Sequence, residues 1–425
     1  MLSPDERIFP FAPPPASNGE GGDASAAYQQ LTEQHTVINM QSWCTVDEKS
    51  CSTDTSSSGD RATCARALLE QLQTKGFAYV SAPSLDTTLC RNTLSVTKEF
   101  LQIAPESVRR SCLVKDRAKR GYAPMNTENF ASLLGVSGKN DLVLKYRMGP
   151  PTVDDDLTNN SLLQPNVWPR AEEWDQAESF RTLLESYYAQ IVGAAQGVVA
   201  AICSALLEEH PDLRSSLEPL IDSFDQSRNN NKNDGNNINN NNNSSILTLL
   251  GYRTGARHKQ SQSTKKRSNN KNRVPLVAAH TDVGIITMLL FDHSGEKCAS
   301  LQRWDSEAND WVSVPLPPLL VGQDHPPPVF VVNVADCLSE LSGGRLPSTL
   351  HRVVASPSAA KGETRNGCGL FVGLDPQQRL VFPSTSLTLQ EEHDREETMT
   401  FEEWRKRRIA KAQEALRQSI TNTSD

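Results

Sequence analysis

The stretch from Pro275 to Phe291, PLVAAHTDVGIITMLLF, determines how the rest of this chain is interpreted. It is apolar and rich in β-branched residues on both sides of a short polar centre, which favours β-strands. The centre holds His280 and Asp282, two residues apart. In a strand, residues i and i+2 point to the same face of the sheet. An imidazole and a carboxylate would therefore be directed at one point.

A catalytic metal site needs a third ligand, and the best candidate is His351. It lies in Leu350–Val354, LHRVV, another short run typical of a strand. Two histidines and one carboxylate on one side of a metal form the facial triad of non-haem Fe(II) oxygenases, which leaves coordination positions open. The residues alone leave an alternative, because a histidine and an aspartate two apart are common. A buried Asp282 could instead form a salt bridge with an arginine or cap a turn.

Composition limits the class of protein. A chain of 425 residues can form one large domain or two ordinary ones, and 37% hydrophobic residues suffice for a core. The net charge of −8 disfavours nucleic acid as a partner. We expect no membrane span, because no window of about 18 apolar residues exists. The first residues also lack the basic and apolar regions of a signal peptide.

The nine cysteines are scattered along the chain without a C-x-x-C pair. An odd, dispersed set predicts free thiols in a reducing compartment rather than a disulfide framework or a zinc site. We therefore expect a cytoplasmic protein, and we expect it to act as a monomer on a small-molecule substrate.

Hydrophobic periodicity predicts an α-rich first half and a β-rich second half. Between Ala177 and Leu207, apolar residues recur at steps of three and four, which predicts a long helix with one face in the core. After residue 246, many short apolar runs alternate with turns, which predicts a jelly roll, or double-stranded β-helix. The predicted fold class is α+β, with the long helix backing the jelly roll. The helix stripe consists of Phe180, Leu184, Tyr188, Ile191, Ala195, Val198, Ile202 and Leu206.

Five segments of the second half carry a family resemblance. They are LLGY (249–252), AHTDVGIITML (279–289), WVSVP (311–315), VFVVNVADCLSELSGGRLPSTLHRVV (329–354) and GLFVGLDP (369–376). In this order they resemble the catalytic domain of the Fe(II)- and 2-oxoglutarate-dependent oxygenases, in the isopenicillin N synthase-like branch. TVINM (36–40), KGFAYV (75–80) and RGYAP (120–124) are similar to that branch's N-terminal helical cap, and FEEW (401–404) to its C-terminal helix.

The resemblance implies a division of the chain. Two tracts are exceptions because their polar composition cannot build a core, and they are predicted as insertions. The expected parts are a flexible arm (1–35), an N-terminal α/β cap of the non-haem dioxygenase type (36–225), an Asn-rich disordered insertion (226–245), a jelly-roll domain (246–385) with a polar insertion (253–273), and a C-terminal helix and tail (386–425).

By this resemblance His280, Asp282 and His351 ligate Fe(II), and Tyr252 hydrogen-bonds the carboxylate of 2-oxoglutarate. The family also carries R-x-S before its final proline, and these two side chains bind the distal carboxylate of 2-oxoglutarate. Counted back from Pro376, glycines 367 and 369 stand at those positions. The nearest arginine is Arg365, two residues upstream and so on the same strand face. Arg365 is the predicted substitute, and no catalytic residue beyond the metal ligands is predicted.

The implied function is hydroxylation or desaturation of a small organic metabolite with Fe(II), 2-oxoglutarate and O₂. The resemblance is also compatible with ascorbate as an additional cofactor. A sibling non-haem iron oxidase that does not use 2-oxoglutarate is one alternative, because the full R-x-S is missing. A catalytically inactive jelly-roll binding protein is another. A zinc hydrolase is the least expected, because zinc sites favour more histidine or cysteine ligands.

Overall fold

The computed structural model describes residues 36–44, 55–115, 119–151, 162–224, 243–255, 275–293, 298–317, 327–356, 359, 362–383 and 397–421. The predicted arm, most of the Asn-rich insertion and most of the polar insertion lie outside the described residues. Within the range predicted as the Asn-rich insertion, Ser244 and Ser245 are buried. The backbone N–H of Ser244 donates to the Leu374 carbonyl at 3.0 Å, so these residues belong to the folded core.

The described residues form helices and strands in the order that the periodicity predicts. The helices are α1 (Gln41–Cys44), α2 (Thr55–Lys75), α3 (Thr87–Lys98), α4 (Glu106–Ser111), α5 (Ala177–Glu209), α6 (Arg214–Phe224), α7 (Asp336–Leu341) and α8 (Phe401–Thr421). The strands are β1 (Val37–Asn39), β2 (Phe77–Ser81), β3 (Gly121–Ala123), β4 (Val143–Met148), β5 (Ile246–Arg253), β6 (Pro275–His280), β7 (Ile286–Phe291), β8 (Ala299–Asp305), β9 (Asp310–Val314), β10 (Val329–Val334), β11 (His351–Ala355), β12 (Thr364–Phe371), β13 (Arg379–Phe382) and β14 (Glu397–Thr400).

Two sheets face each other and form the predicted jelly roll. The large sheet has the strand order β1-β2-β10-β7-β12-β5-β4-β3, and the small sheet has the order β6-β11-β8-β9. Neighbouring strands are antiparallel except for the pair β1 and β2. Strands from the predicted cap thus share hydrogen bonds with strands of the second half, and the cap completes the large sheet.

Alternation along the strands assigns their side chains to two cores. On β5, Leu250 and Tyr252 pack with residues of the small sheet, in the interior of the jelly roll. Leu247 and Leu249, on the opposite face, pack against the helices. This period of two is what an antiparallel sheet buried on both faces requires. The interior between the sheets is where the candidate site lies.

Helix α5 backs the large sheet as predicted, with Tyr187 Oη 3.5 Å from Cys368 Sγ of β12. Every residue of its predicted stripe is buried. One 18-residue window of this helix has a mean hydropathy of 1.8, enough for a membrane span by length and composition. The expectation that no such window exists was therefore wrong. However, 72% of that window is buried inside the fold. A helix that is apolar nearly all round is typical of the core of a large domain.

Candidate metal centre

Strand register brings the two predicted histidine ligands together. His280 ends β6 and His351 begins β11, and the two residues lie directly opposite each other in the antiparallel pair. Their ring centroids are 4.4 Å apart. Both residues are buried, with 6% and 5% of their surface exposed. The pairing of two distant segments of sequence therefore places two imidazoles at one end of the jelly roll.

Asp282 joins them from the turn that carries the chain from β6, in the small sheet, to β7, in the large sheet. Its Oδ1 lies 3.6 Å from Nε2 of His280, and its Oδ2 lies 3.8 Å from Nε2 of His351. One candidate ligand atom from each of the three residues lies within 4.8 Å of the others. Gly284 permits this turn, because its φ is +144° and an added Cβ would lie 2.6 Å from the Val372 carbonyl oxygen.

Backbone carbonyls select the tautomer of both histidines. Nδ1 of His280 lies 2.8 Å from the Ala278 carbonyl oxygen, and Nδ1 of His351 lies 2.9 Å from the Thr349 carbonyl oxygen. A carbonyl oxygen only accepts hydrogen bonds, so each Nδ1 carries the proton in the neutral ring. Each Nε2 then has a free lone pair. This arrangement is the usual outer support of a metal-binding histidine.

Two hydrogen bonds fix the Asp282 carboxylate. Thr287 Oγ1 donates to Oδ2 at 2.7 Å, and Asn333 Nδ2 donates to the same oxygen at 3.0 Å. Burial by itself would raise the pKa of Asp282, but the neighbouring His351 and His280 and these two hydrogen bonds lower it below its ordinary value. The carboxylate is therefore held ionised.

The imidazole of His280 is held neutral. Burial, followed by the proximity of His351, lowers the pKa of His280 to about 3. The Phe130 ring stacks on it at 4.7 Å between centroids and 19° between planes. On the other histidine, Phe77 packs edge-on at 5.8 Å. Two imidazoles whose Nδ1 atoms point at backbone carbonyls and one ionised carboxylate, enclosed by aromatic rings, form a donor set that fits a divalent metal of the Fe(II) type.

The predicted 2-oxoglutarate residues also meet inside the jelly roll. Arg365 on β12 lies directly opposite Tyr252 on β5, and both side chains are buried. The Arg365 guanidinium lies 4.1 Å from the centroid of Phe291 and donates to the Ala299 carbonyl. Burial raises the pKa of Tyr252 to about 12, although the Arg365 charge opposes the rise. Tyr252 is therefore a neutral phenol that can donate a hydrogen bond.

The two glycines at the R-x-S positions are crowded by side chains of β7. An added Cβ on Gly367 would lie 2.7 Å from Cδ1 of Phe291, and one on Gly369 would lie 2.6 Å from Cδ2 of Leu289. Phe291 and Leu289 of β7 occupy the space that side chains there would need. The departure from the family pattern is therefore a change in packing. The Phe291 ring, which also contacts the Arg365 guanidinium, lies beside Gly367.

A buried charge cluster, Glu128, Asp141, Lys145 and Arg147, supports the wall of the site. Both carboxylate oxygens of Glu128 accept from Arg147, at 2.9 and 2.6 Å, and Oε2 also lies 2.7 Å from Lys145 Nζ. Burial and the nearby Arg147 lower the pKa of Lys145 to about 8. Asp141 accepts from the backbone N–H of Phe130 at 2.9 Å and of Ala278 at 3.0 Å. The cluster thus ties the segment of Phe130 to strand β6.

Sequence reasoning identified the three central residues but missed most of their supports. The sequence did contain an indication of the role of Asn333, because it is the one polar residue in the apolar run VFVVNV. Buried polar groups are hydrogen-bonded as a rule, so a partner for it could have been expected. Thr287 had the same signal in IITMLLF. Phe130 had none, because it approaches from a segment without periodicity.

Two family models match the chain. The N-terminal model of the non-haem dioxygenases, described by reference to morphine synthesis, covers residues 48–171. The model of the 2OG-Fe(II) oxygenase superfamily covers residues 258–365. Together they span more than half of the chain, and the second contains all three candidate metal ligands and Arg365.

Individual relatives agree with these matches. Clavatol oxidase from Penicillium crustosum is 26% identical over 286 residues, which cover 65% of this chain and 71% of that enzyme. A homoarginine-6-hydroxylase from Glycine max is 24% identical over 283 residues, which cover 67% of this chain and 70% of that enzyme. Among solved structures, the fold is similar to that of a full-length Neurospora crassa protein in complex with α-ketoglutarate, with a TM-score of 0.58 and 18% sequence identity. The match covers 88% of this chain and 96% of that protein. The chain belongs to the Fe(II)- and 2-oxoglutarate-dependent oxygenase superfamily and is an oxidoreductase that uses Fe(II), 2-oxoglutarate and O₂.

Proposed function

We propose that this dioxygenase oxidises a C–H bond of a small organic metabolite at a metal held by His280, Asp282 and His351. The observation that carries the proposal is the convergence of one buried ligand atom from each residue within 4.8 Å. In this role the bound iron and 2-oxoglutarate activate O₂ and provide the oxidising power. A set of three protein ligands leaves coordination positions for small molecules.

The residues of this chain bind, orient and enclose the reactants. The carbonyls of Ala278 and Thr349 keep both histidines in the tautomer with a free Nε2. Arg365 binds the distal carboxylate of 2-oxoglutarate through its guanidinium, because a planar fork matches a carboxylate. Tyr252 donates a hydrogen bond to the same cosubstrate. The apolar residues between the two sheets exclude water, which strengthens both polar contacts.

The finer assignments follow from the motifs. We place the protein in the isopenicillin N synthase-like branch, because the long segment 329–354 and the cap segments resemble that branch. We place it in the cytoplasm as a monomer. The seven cysteines whose side chains the structure describes are free thiols, in accordance with a reducing compartment. The division of the chain at residues 36, 226, 246 and 386 remains part of this proposal, except that Ser244 and Ser245 belong to the folded core and not to the Asn-rich insertion.

The test is succinate release by the purified protein under air, with Fe(II), 2-oxoglutarate and a metabolite extract. His280→Ala, Asp282→Ala and His351→Ala should each abolish it and also abolish metal binding. Arg365→Ala should raise the KM for 2-oxoglutarate by ten-fold or more, and Arg365→Lys should restore part of the affinity because it keeps the charge without the fork. Arg352→Ala is the matched control, because Arg352 bonds Gln302 and lies over Trp311.

The outcomes separate the alternatives. Oxygen uptake without succinate would support an oxidase that does not use 2-oxoglutarate. Metal binding without turnover on any extract would support a binding protein. Metal binding that survives in the three ligand variants would overturn the site itself.

A further inference from the structure

Helix α8 reaches the metal centre through one buried arginine, Arg408. Arg408 is 5% exposed. By contrast, the side chains of Lys406 and Arg407 on the same helix are 68% and 43% exposed. Apolar residues already dock the helix, because Phe401, Trp404 and Ala412 are all buried. A buried guanidinium loses its hydration at a considerable cost in free energy, so docking of the helix by itself does not explain it.

The guanidinium contacts three different segments. Its Nε donates to Asp336 Oδ2 at 2.8 Å. Its Nη1 donates to the Leu133 carbonyl at 2.8 Å, and its Nη2 donates to Thr281 Oγ1 at 3.5 Å. Thr281 itself donates to Asp336 Oδ2 at 3.2 Å. One arginine therefore joins helices α7 and α8, the turn after β6 and the segment that contains Leu133.

Each of these segments supports a candidate ligand. Thr281 stands between His280 and Asp282 in the sequence. The backbone N–H of Asp336 donates to the Asp282 carbonyl at 2.9 Å. Leu133 lies in the short 3₁₀ turn Phe130–Leu134, whose first residue stacks on His280. The three contacts of Arg408 thus end next to two of the three metal ligands.

We propose that Arg408 is a positioning residue of the metal centre: it fixes the turn 280–282 through Thr281 and Asp336, and it holds Phe130 against His280 through the Leu133 carbonyl. The C-terminal helix is then a working part of the site, although it supplies no ligand. This inference rests on the proposed assignment of His280 and Asp282 as ligands.

Titration of the metal-free protein with Co²⁺ in the absence of oxygen tests the proposal. Cobalt suits the same nitrogen and oxygen donors as Fe(II) and reports its coordination by visible absorption. Arg408→Lys keeps the charge opposite Asp336 but cannot make all three contacts. The pair Arg408→Met with Asp336→Asn removes both charges together, so that no buried carboxylate is left unpaired. Arg407→Met, on the same helix, is the matched control.

Loss of an outer support typically lowers metal affinity by about 10- to 100-fold. We expect the Co²⁺ dissociation constant to rise by about ten-fold in Arg408→Lys and further in the double variant, with a changed absorption band. Arg407→Met should bind as the wild type does. Without metal, the Arg408 variants should still unfold in one cooperative transition, so that the loss of Co²⁺ affinity is measured on a folded protein. Unchanged Co²⁺ affinity in both Arg408 variants would overturn the proposal.

Two further variants keep the result decisive. If the Arg408 variants do not fold, Thr281→Val removes the linking hydroxyl at nearly constant shape and should still weaken Co²⁺ binding several-fold; full affinity there would overturn the proposal. His280→Ala tests the ligand assignment separately. Wild-type Co²⁺ affinity in His280→Ala would refute the proposed site and not the contacts of Arg408.

Discussion

Glu128 is the carboxylate on which the cations of the buried charge cluster converge. Burial alone would raise the pKa of Glu128, but the hydrogen bonds and charge of Arg147, together with Lys145, lower it far below its ordinary value. A depressed carboxyl pKa stabilises the fold above the unfolded-state pKa of about 4.3, and this contribution is lost as pH falls below it. The charge cluster that holds Phe130 therefore depends on an ionised Glu128.

We predict that Glu128→Gln lowers the free energy of unfolding at pH 7 by about 3 kcal/mol, because it removes the carboxylate that pairs with the buried Arg147 and leaves Lys145 only the more distant Asp141, at 3.9 Å. The difference between wild type and variant should stay constant from pH 7 to about pH 5.5 and shrink below about pH 4.3, where Glu128 gains a proton in the unfolded chain but stays ionised in the folded one. Urea denaturation across this range measures it. Glu307→Gln, at an exposed position, should show no such difference. A pH-independent difference would contradict the ionised cluster.

At the scale of elements, the junction between α2 and β2 contacts Thr349, two residues before the proposed metal ligand His351. Gly76 lies between them with φ +68°, and an added Cβ would overlap the Thr349 side chain. Thr349 also provides the carbonyl that fixes the tautomer of His351. Helix α2 thus ends against the residue whose carbonyl orients the proposed metal ligand His351.

We predict that Gly76→Ala destabilises the protein by more than the roughly 1–3 kcal/mol of the backbone conformation alone, and that it weakens Co²⁺ binding. Gly344→Ala is the matched control, because Gly344 has φ +78° and no atom within 4 Å of an added Cβ. Gly344→Ala should lose only the stability that the strained backbone conformation costs, and it should keep its metal affinity. Equal losses of stability and unchanged affinity in both variants would show that the Thr349 contact does not matter.

These two scales differ in how far the sequence could predict them. The spacing of His280 and Asp282 and the family pattern predicted which three side chains meet. The reason taken from strand alternation was wrong for Asp282, because β6 ends at His280 and Asp282 lies in the turn that follows. The stacking of Phe130, the charge cluster and the reach of Arg408 were not predictable. They depend on contacts between segments that are distant in the sequence and carry no repeating pattern. The filled space beside Gly367 also became visible only when β7 was placed next to β12.

At the scale of the whole molecule, metal binding and folding are linked. The site joins both sheets through the turn after β6, so an ion that binds only the folded state stabilises the entire fold. Mn²⁺ at 100 times its dissociation constant should add about 2.7 kcal/mol to the free energy of unfolding. Thermal denaturation with Mn²⁺ and then with excess chelator measures this gain and its reversal. His351→Ala should show no gain, and an equal gain in that variant would place the ion elsewhere.

The position of β2 in the large sheet has a consequence for synthesis of the chain. Its partner β10 pairs Val329 with Ser81, so about 250 residues must follow β2 before that edge is covered. At 5–20 residues per second this takes roughly 10–50 s. During that interval the apolar strand FAYVS presents an uncovered edge, which is prone to pair with other chains. The nascent chain is therefore expected to need a chaperone at β2, and iron can be loaded only after His351 has emerged.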